Sequence, residues 1–146
     1  MTDRLVVIAK WFESLTPATL VSIGEIYAEH AHFKDPFNDL HGIDSIVSVY
    51  QHMFDGLDDA RFEIEHVQGS GNHAFLVWRF RAHWRGRGIL VNGSSHLRLD
   101  EAGLIADHRD YWDTGEELYE KIPVLAGVLR LIRKRMAAPP AKKTAR

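Results

Sequence analysis

Hydrophobic residues in the first third of the chain recur every three to four positions, which is the spacing of helices with one buried face. The pattern predicts an amphipathic helix over residues 5–12, a second over about residues 17–27 and a third over residues 42–57. Residues 32–41 interrupt this pattern with an Asp-Pro step at Asp35. This segment is therefore predicted to be a short strand that leads into a loop.

After residue 57 the apolar positions alternate with a period of two, which is typical of strands. Four such stretches, separated by turn sequences, occupy residues 60–68, 73–85, 88–99 and 104–112. The order of elements predicts an α+β fold in which a curved antiparallel sheet wraps around three N-terminal helices and leaves a pocket. In the second stretch one row contains Trp78, Phe80 and Trp84, and the other contains Arg79 and Arg81. A soluble monomer rarely exposes an apolar surface as large as that of the aromatic row. We therefore expect a homodimer through the outer sheet face.

The C-terminal part of the chain predicts a short helix over residues 116–121 and a longer amphipathic helix over about residues 124–136. The polar face of the longer helix is basic and contains Arg130, Arg133, Lys134 and Arg135. We expect this helix to dock its apolar stripe on the rest of the protein or on a partner copy; the alternative is contact with an anionic membrane or with nucleic acid. Residues 1–136 are expected to form one domain, followed by a disordered basic tail over residues 137–146.

The composition fits a globular protein, with 146 residues, 45% hydrophobic and 26% charged residues. The formal net charge of −2 conceals an asymmetry, because seven basic residues and no acid follow residue 129, which leaves −9 on residues 1–129. With no cysteine, the chain has no thiolate ligand or nucleophile. No secretory signal or membrane-length apolar stretch is evident, so we expect a soluble cytoplasmic protein.

Four segments carry a resemblance to a known superfamily. They are residues 26–37 (IYAEHAHFKDPF), Gly42 at the start of the third helix, residues 99–105 (LDEAGLI) and residues 108–113 (HRDYWD). In their order and spacing they resemble the nuclear-transport-factor-2-like cone fold, a cystatin-like roll shared by ketosteroid isomerases, SnoaL-like polyketide cyclases, scytalone dehydratases and limonene epoxide hydrolases. The resemblance covers residues 4–122. It implies the fold and a small-molecule pocket but not one reaction, because this scaffold hosts many chemistries.

The resemblance to ketosteroid isomerases implies that Asp35 is a general base at the mouth of an apolar pocket. An aspartate before proline also commonly caps a turn, so a structural role stays open. Tyr27 and Tyr50 fall where that family places pocket tyrosines, and each can also be a core tyrosine with a bonded hydroxyl. Trp11 and Ser95 stand where that family has the tyrosine and the protonated aspartate of its oxyanion hole, so we do not expect steroid isomerisation.

Residues 109–113 (RDYWD) resemble the last strand of limonene epoxide hydrolases, in which the first aspartate of this run helps to activate water. That resemblance implies a catalytic role for Asp110. It places Arg79 at the arginine position of the site, but Arg81 occupies the position of the second carboxylate, so the family's two-carboxylate relay is incomplete. We expect both arginines to face Asp110, either as stabilisers of an oxyanion or in a buried ion pair.

His108 lies two residues before Asp110, so the strand period places both on the pocket face together with Trp112. A neutral histidine beside a carboxylate suits acid/base chemistry near neutral pH, as in SnoaL-like cyclases and scytalone dehydratases. A hydrogen-bonded core histidine is the alternative. His30 and His32 have a spacing that allows metal binding, but no third ligand is in evident range, so we predict neither a metal nor an organic cofactor.

Two hypotheses follow from these residues. The first is a SnoaL-like enzyme that performs isomerase, cyclase, dehydratase or hydrolase chemistry on a compact, largely apolar molecule. Its predicted catalytic residues are Asp35, His108, Asp110 and Arg79. Its predicted substrate-binding residues are Trp11, Tyr27, Tyr50, Arg81, Ser95 and Trp112. The second is a non-catalytic ligand-binding or dimeric assembly module on the same fold, because the oxyanion hole and the relay of the two enzyme families are both incomplete.

Overall fold

The structure is a computed structural model, which describes residues 2–114 and 123–138. Residues up to Trp112 form one compact unit, and the residues from Asp113 onward form a second. The elements of the first unit are α1 (Thr2–Glu13), a 3₁₀ helix (Thr19–Glu25), β1 (Tyr27–Lys34), β2 (Asp39–His41), α2 (Ile43–Gly56), β3 (Asp58–Ser70), β4 (His73–Trp84), β5 (Arg87–Leu99) and β6 (Ile105–Tyr111). This order confirms the predicted α+β architecture.

The six strands form a single sheet in the order β2-β1-β6-β5-β4-β3. β1 runs parallel to β6, and every other neighbouring pair is antiparallel. The last of the described strands, β6, therefore lies between β1 and β5 near the middle of the sheet. Side chains on its inner face are flanked on both sides, which places β6 where a buried polar site can be built.

The second predicted helix differs from the structure in type and in length. It is a 3₁₀ helix that ends at Glu25, and Tyr27 begins β1 instead of continuing the helix. The backbone of Ile26 accepts a hydrogen bond from the amide of Ile105 at 2.8 Å, and Tyr27 pairs with Ile105 in the parallel ladder. Pairing with β6 thus overrides the local helical pattern and turns the Tyr27 side chain, which is fully buried, toward the core.

The inner face of β4 is the aromatic row that was predicted to meet a second copy. Leu76, Trp78 and Phe80 are buried in the core that also contains the apolar faces of α1 and α2. The predicted assignment of the two rows of β4 is therefore wrong. The reason is the larger apolar area of this row, which the protein's own helices remove from water.

The second unit contains α3 (Pro123–Met136), which corresponds to the predicted C-terminal helix. Its last turn carries Arg133, Lys134 and Arg135. The predicted helix over residues 116–121 lies outside the described residues, as does the predicted tail apart from residues 137 and 138. Within the described part of the chain, no helix is long and apolar enough to cross a membrane.

Candidate active site

A small cleft lies between the helices and the inner face of the sheet in the first unit. Its volume is about 10 Å³, which is room for about one water molecule. The apolar lining consists of Phe12, Phe62, Ile64, Leu76 and Trp78, and the polar lining consists of Tyr50, Ser95, His108 and Asp110. The polar groups therefore converge on a largely aromatic cleft, which is the arrangement common in small-molecule sites.

His108 and Asp110 form the centre of the polar lining. His108 is 2% exposed, and its Nε2 lies 2.6 Å from Asp110 Oδ1. They share the inner face because they are two residues apart on β6, so the predicted proximity of this pair is confirmed. The second carboxylate oxygen, Oδ2, makes no hydrogen bond to another described residue, and the Asp110 side chain is 16% exposed.

Two tyrosines extend the pair on the side of His108 that faces away from Asp110. The Tyr27 hydroxyl lies 2.6 Å from His108 Nδ1 and 2.9 Å from the Tyr50 hydroxyl. Burial is the main cause that raises the pKa of both phenols above the ordinary value, and the Asp110 charge adds to it. Both phenols are therefore protonated at neutral pH and supply one hydrogen each.

Ser95 and Trp78 hold Asp110 from the other side. The register between β5 and β6 places Ser95 directly opposite Asp110, and the Ser95 hydroxyl donates to Asp110 Oδ1 at 2.5 Å. The Trp78 indole Nε1 in turn donates to Ser95 Oγ at 2.9 Å. Gly93 makes this possible, because a Cβ there would lie 2.4 to 2.8 Å from three ring atoms of Trp78.

The six side chains form one continuous hydrogen-bonded network, which consists of Tyr50, Tyr27, His108, Asp110, Ser95 and Trp78. With neutral His108 protonated on Nε2, Tyr50 donates to Tyr27, Tyr27 donates to His108 Nδ1, and His108 donates to ionised Asp110. With one more proton on His108, Nδ1 donates to the Tyr27 hydroxyl. Tyr27 then donates to Tyr50, and the Tyr50 hydroxyl donates into the cleft. Both arrangements satisfy every buried group of the network.

Asp35 lies outside the cleft lining and caps the turn between β1 and β2. Its Oδ1 accepts hydrogen bonds from the backbone amides of Phe37 at 2.8 Å and Asn38 at 2.6 Å. Both carboxylate oxygens also lie near the Asn38 side-chain amide, at 3.0 and 3.1 Å. This geometry matches the turn-capping alternative, although the Asp35 charge is close enough to contribute to the raised pKa of Tyr50.

Trp11 and Trp112 are also outside the cleft lining. Trp11 is 8% exposed, and its indole donates to Ser22 Oγ at 3.1 Å. Its ring packs edge-on against both Tyr27 and Tyr50, so it supports the network from the core. Trp112 is half-buried at the end of β6, where its ring meets Phe37 at 5.6 Å.

The expectation that Arg79 and Arg81 face Asp110 is wrong. Arg79 pairs with Glu65 at 2.5 Å, and Arg81 pairs with Glu63 at 2.9 Å, with all four side chains substantially exposed on the outer face of the sheet. The physical reason is the alternation along β4: once Trp78 and Phe80 are buried inside, the arginines between and after them point outward. Neither arginine contributes to the polar lining of the cleft.

His32 belongs to a charged cluster on the outer side of β1, β2 and β6. Its Nε2 lies 2.5 Å from Asp39 and its Nδ1 lies 3.4 Å from Asp107. The hydrogen bond to Asp39 is the main cause that raises the pKa of His32. His32 also stacks on His41, while Ala31 and Phe33 point into the core, as predicted for this strand. Among the described residues, no group of three or more histidines and carboxylates is arranged to hold a metal ion.

Sequence reasoning missed Trp78, Phe12 and Phe62 as lining residues. Trp78 was placed on the wrong face, and the two phenylalanines belong to α1 and β3, whose approach to each other depends on the tertiary fold. One usable signal was present. Gly93 pairs with Trp78 across β4 and β5, and a glycine inside a strand often marks the close approach of a bulky neighbour.

A family model described as the SnoaL-like domain matches residues 8–108. An NTF2-like protein of unknown function from Burkholderia pseudomallei K96243 is similar in structure, with a TM-score of 0.70, 17% identity and coverage of 80% of this chain and 95% of that one. A protein from Shewanella putrefaciens CN-32, described as a SnoaL-like polyketide cyclase, has a TM-score of 0.67 and 17% identity, with coverage of 81% and 97%. An LEH-like epoxide hydrolase from M. tuberculosis has a TM-score of 0.69 and 13% identity, with coverage of 91% and 97%. Among curated proteins no sequence matches significantly.

Proposed function

The chain belongs to the SnoaL-like domain family, and we propose that it is an enzyme that transfers protons on a small, largely apolar substrate bound in the cleft between Tyr50 and Asp110. The observation that carries this proposal is the hydrogen-bonded network, which connects two polar groups of one apolar cleft through a buried histidine. Isomerisation, dehydration and hydrolysis all need one group that takes a proton and another that gives one.

Asp110 is the general base in this proposal. Its Oδ1 is held by Ser95 and His108, which fixes the carboxylate and leaves Oδ2 to accept a proton from the substrate or from a water beside it. An aspartate fixed by neighbours loses little orientational freedom when the substrate binds. This assignment differs from the sequence-based one, in which Asp35 was the base, because Asp35 is engaged by the amides of its own turn.

Tyr50 is the general acid. In the arrangement with protonated His108, the Tyr50 hydroxyl donates into the cleft while Asp110 stays ionised. Asp110 takes a proton from one substrate atom, and Tyr50 gives its proton to another. Tyr27 then gives its own proton to Tyr50 and receives the Nδ1 proton of His108. The site ends with neutral His108 and protonated Asp110, so its total number of protons is unchanged. The raised pKa of Tyr50 and Tyr27 favours the return of the proton to each phenol.

The test uses a panel of small uncharged compounds, including epoxides, enolisable ketones and β-hydroxy ketones, incubated with the protein in D₂O and followed by NMR. Product formation and deuterium incorporation both report proton transfer. On a compound that the wild type converts, we expect Asp110→Asn to lower the rate by about 10² to 10⁴, the range for loss of a general acid or base. Asp107→Asn is the matched control, because this carboxylate lies on the outer side of the same strand. Equal rates for wild type and Asp110→Asn contradict the assignment.

A non-catalytic ligand-binding module is the second candidate, and the positions of Arg79 and Arg81 favour it. Both arginines pair with glutamates on the outer face of the sheet, so neither is in the cleft lining to stabilise an oxyanion. In that case a compound from the panel binds saturably and shifts the resonances of the lining residues, with neither conversion nor deuterium incorporation. The two candidates therefore differ in turnover and not in binding.

A further inference from the structure

The lining of the cleft contains one carboxylate and, within the described residues, no lysine or arginine. Arg79 and Arg81 are paired with glutamates on the other side of the sheet. The only group of the lining that can carry a positive charge is His108, whose Nε2 bonds to Asp110. With Asp110 ionised, the charge of the described lining is therefore −1 when His108 is neutral and zero when His108 is protonated.

The hydrogen bonds of the network also leave the lining suited to a ligand that donates hydrogen bonds. When His108 is neutral, the hydrogens of Tyr50, Tyr27 and His108 are all directed along the network toward Asp110, and Ser95 and Trp78 complete the donation to it. Within the described part of the chain the groups left over are acceptors: Asp110 Oδ2 and the remaining lone pair of the Tyr50 oxygen. A ligand that complements this state brings donors and needs no donor from the protein.

The walls beside these acceptors are aromatic. The ring of Trp78 lies directly against Gly93, where a Cβ would overlap it, and it lines the cleft. Phe62 stands at 87° to Trp78 with ring centroids 5.4 Å apart, and Phe12 lies 6.4 Å from Phe62. Aromatic faces carry partial negative charge and attract cations, most strongly where water is excluded.

From these three observations we infer that the cleft is a binding site for a small organic cation, an alkylammonium group that donates to Asp110 and Tyr50 and contacts the aromatic rings. The inference concerns the cleft of the proposed function and rests on the network described for it, but it does not require catalysis. Aromatic walls with two acceptors suit an alkylammonium better than a bare metal ion, which prefers several oxygen or nitrogen ligands. The volume of about 10 Å³ fits a head group that replaces one water.

The experiment compares three probes of nearly equal size that differ in charge: methylammonium, methanol and formate. Each is titrated into the full-length protein while the four tryptophan indole N–H resonances are followed by NMR. Trp78 reports on the cleft through its bond to Ser95, and Trp84, which is 49% exposed at the end of β4, serves as the reference. We expect methylammonium to shift the Trp78 resonance saturably, with affinity at least about tenfold above that of methanol, and formate to leave it unchanged.

Three variants locate the interaction. Asp110→Asn keeps the size of the side chain and removes its charge, so the preference for methylammonium over methanol should disappear. Phe62→Leu keeps an apolar wall without a ring, so methylammonium affinity should fall by about threefold to tenfold while methanol affinity stays constant. Asp107→Asn, on the outer side of β6, should bind as the wild type does. Circular dichroism and the four indole resonances establish that each variant is folded.

The inference is overturned by equal affinity for methylammonium and methanol, by binding of formate, by the absence of a saturable shift with methylammonium, or by an unchanged preference in folded Asp110→Asn. Its failure is distinguishable from failure of the proposed function. Loss of turnover in Asp110→Asn together with no methylammonium binding contradicts only the cation site. Selective methylammonium binding with equal turnover in wild type and Asp110→Asn contradicts only the catalytic assignment.

Discussion

Replacing Tyr27 by phenylalanine removes one hydroxyl from the middle of the network and leaves the ring in place. Tyr27 is fully buried, and its oxygen is the only link between Tyr50 and His108 in the described network, at 2.9 and 2.6 Å. In the variant, His108 Nδ1 loses its partner inside a core formed by aromatic rings, including Phe33 at 4.8 Å and Phe12 at 5.8 Å. Tyr50 loses the same partner but lines the cleft, where water can replace it.

The expected cost follows from these two different environments. An unsatisfied buried group costs about 1 to 3 kcal/mol, and a hydrogen bond whose partner regains water costs about 0.5 to 1.5 kcal/mol. The sum for Tyr27→Phe is a loss of about 2 to 4 kcal/mol in the free energy of unfolding. For a chain of 146 residues, each kcal/mol lowers Tm by about 2 to 4 °C, so Tm should fall by about 4 to 16 °C.

Thermal and urea unfolding, followed by circular dichroism, measure the difference. Tyr111→Phe is the control, because Tyr111 is 49% exposed on the same sheet and its ring stacks with Arg109. The control should change the free energy of unfolding by less than about 0.5 kcal/mol. A Tyr27→Phe variant that is within this margin of the wild type would refute the reasoning, because the hydroxyl would then satisfy no buried partner that needs it.

Three further predictions concern the packing, the surface and the assembly. Gly93→Ala places a Cβ against the Trp78 ring and should cost about 1 to 3 kcal/mol, whereas Gly88→Ala in the same strand meets no atom within 4 Å and should melt near the wild type. Asp39 raises the pKa of His32 above 6.5. The stabilisation of the fold by this pair is therefore complete below about pH 6.5 and is lost as the pH rises through the raised pKa. The Tm difference between wild type and Asp39→Asn should therefore be larger at about pH 5.5 than at about pH 8.5, and a difference that grows with pH contradicts this. If two copies pair through the outer sheet face, the wild type sediments as a dimer. Phe75→Asp places a charge at a side chain that is 50% exposed on that face, so this variant should sediment as a monomer. A monomeric wild type contradicts the pairing.

The local pattern of the chain predicted most of the elements and one part of the site. The four alternating stretches correspond to β3 to β6, with ends that differ by at most two residues. The spacing of His108 and Asp110 placed both on one face of β6, where they bond. These predictions succeeded because they depend on the period of a strand, which is a property of the backbone and is the same in every sheet.

Other predictions failed where a residue's role depends on distant partners. The period of β4 separates Trp78 from Arg79 but does not state which row faces inward, and the inner row was assigned wrongly. Tyr27 was placed on a helix because its neighbours have helical spacing, and the ladder with β6 changed it to a strand. Asp35 was predicted to be a catalytic base, with a turn cap as the alternative, and its bonds to the amides of Phe37 and Asn38 favour the cap.

The sequence by itself determined the secondary structure periods, the positions of α1, α2 and β3 to β6, and the shared face of His108 and Asp110. Only the tertiary structure decided which face of the sheet is inside and which residues meet there. Burial of the aromatic row depends on the summed apolar area of the whole unit and not on any one strand. Tyr27 and Tyr50 are separated by 23 residues, and Tyr27 and His108 by 81, so their contact arises from the path of the backbone through α2, β1 and β6. The network therefore exists only once the sheet has paired β1 beside β6.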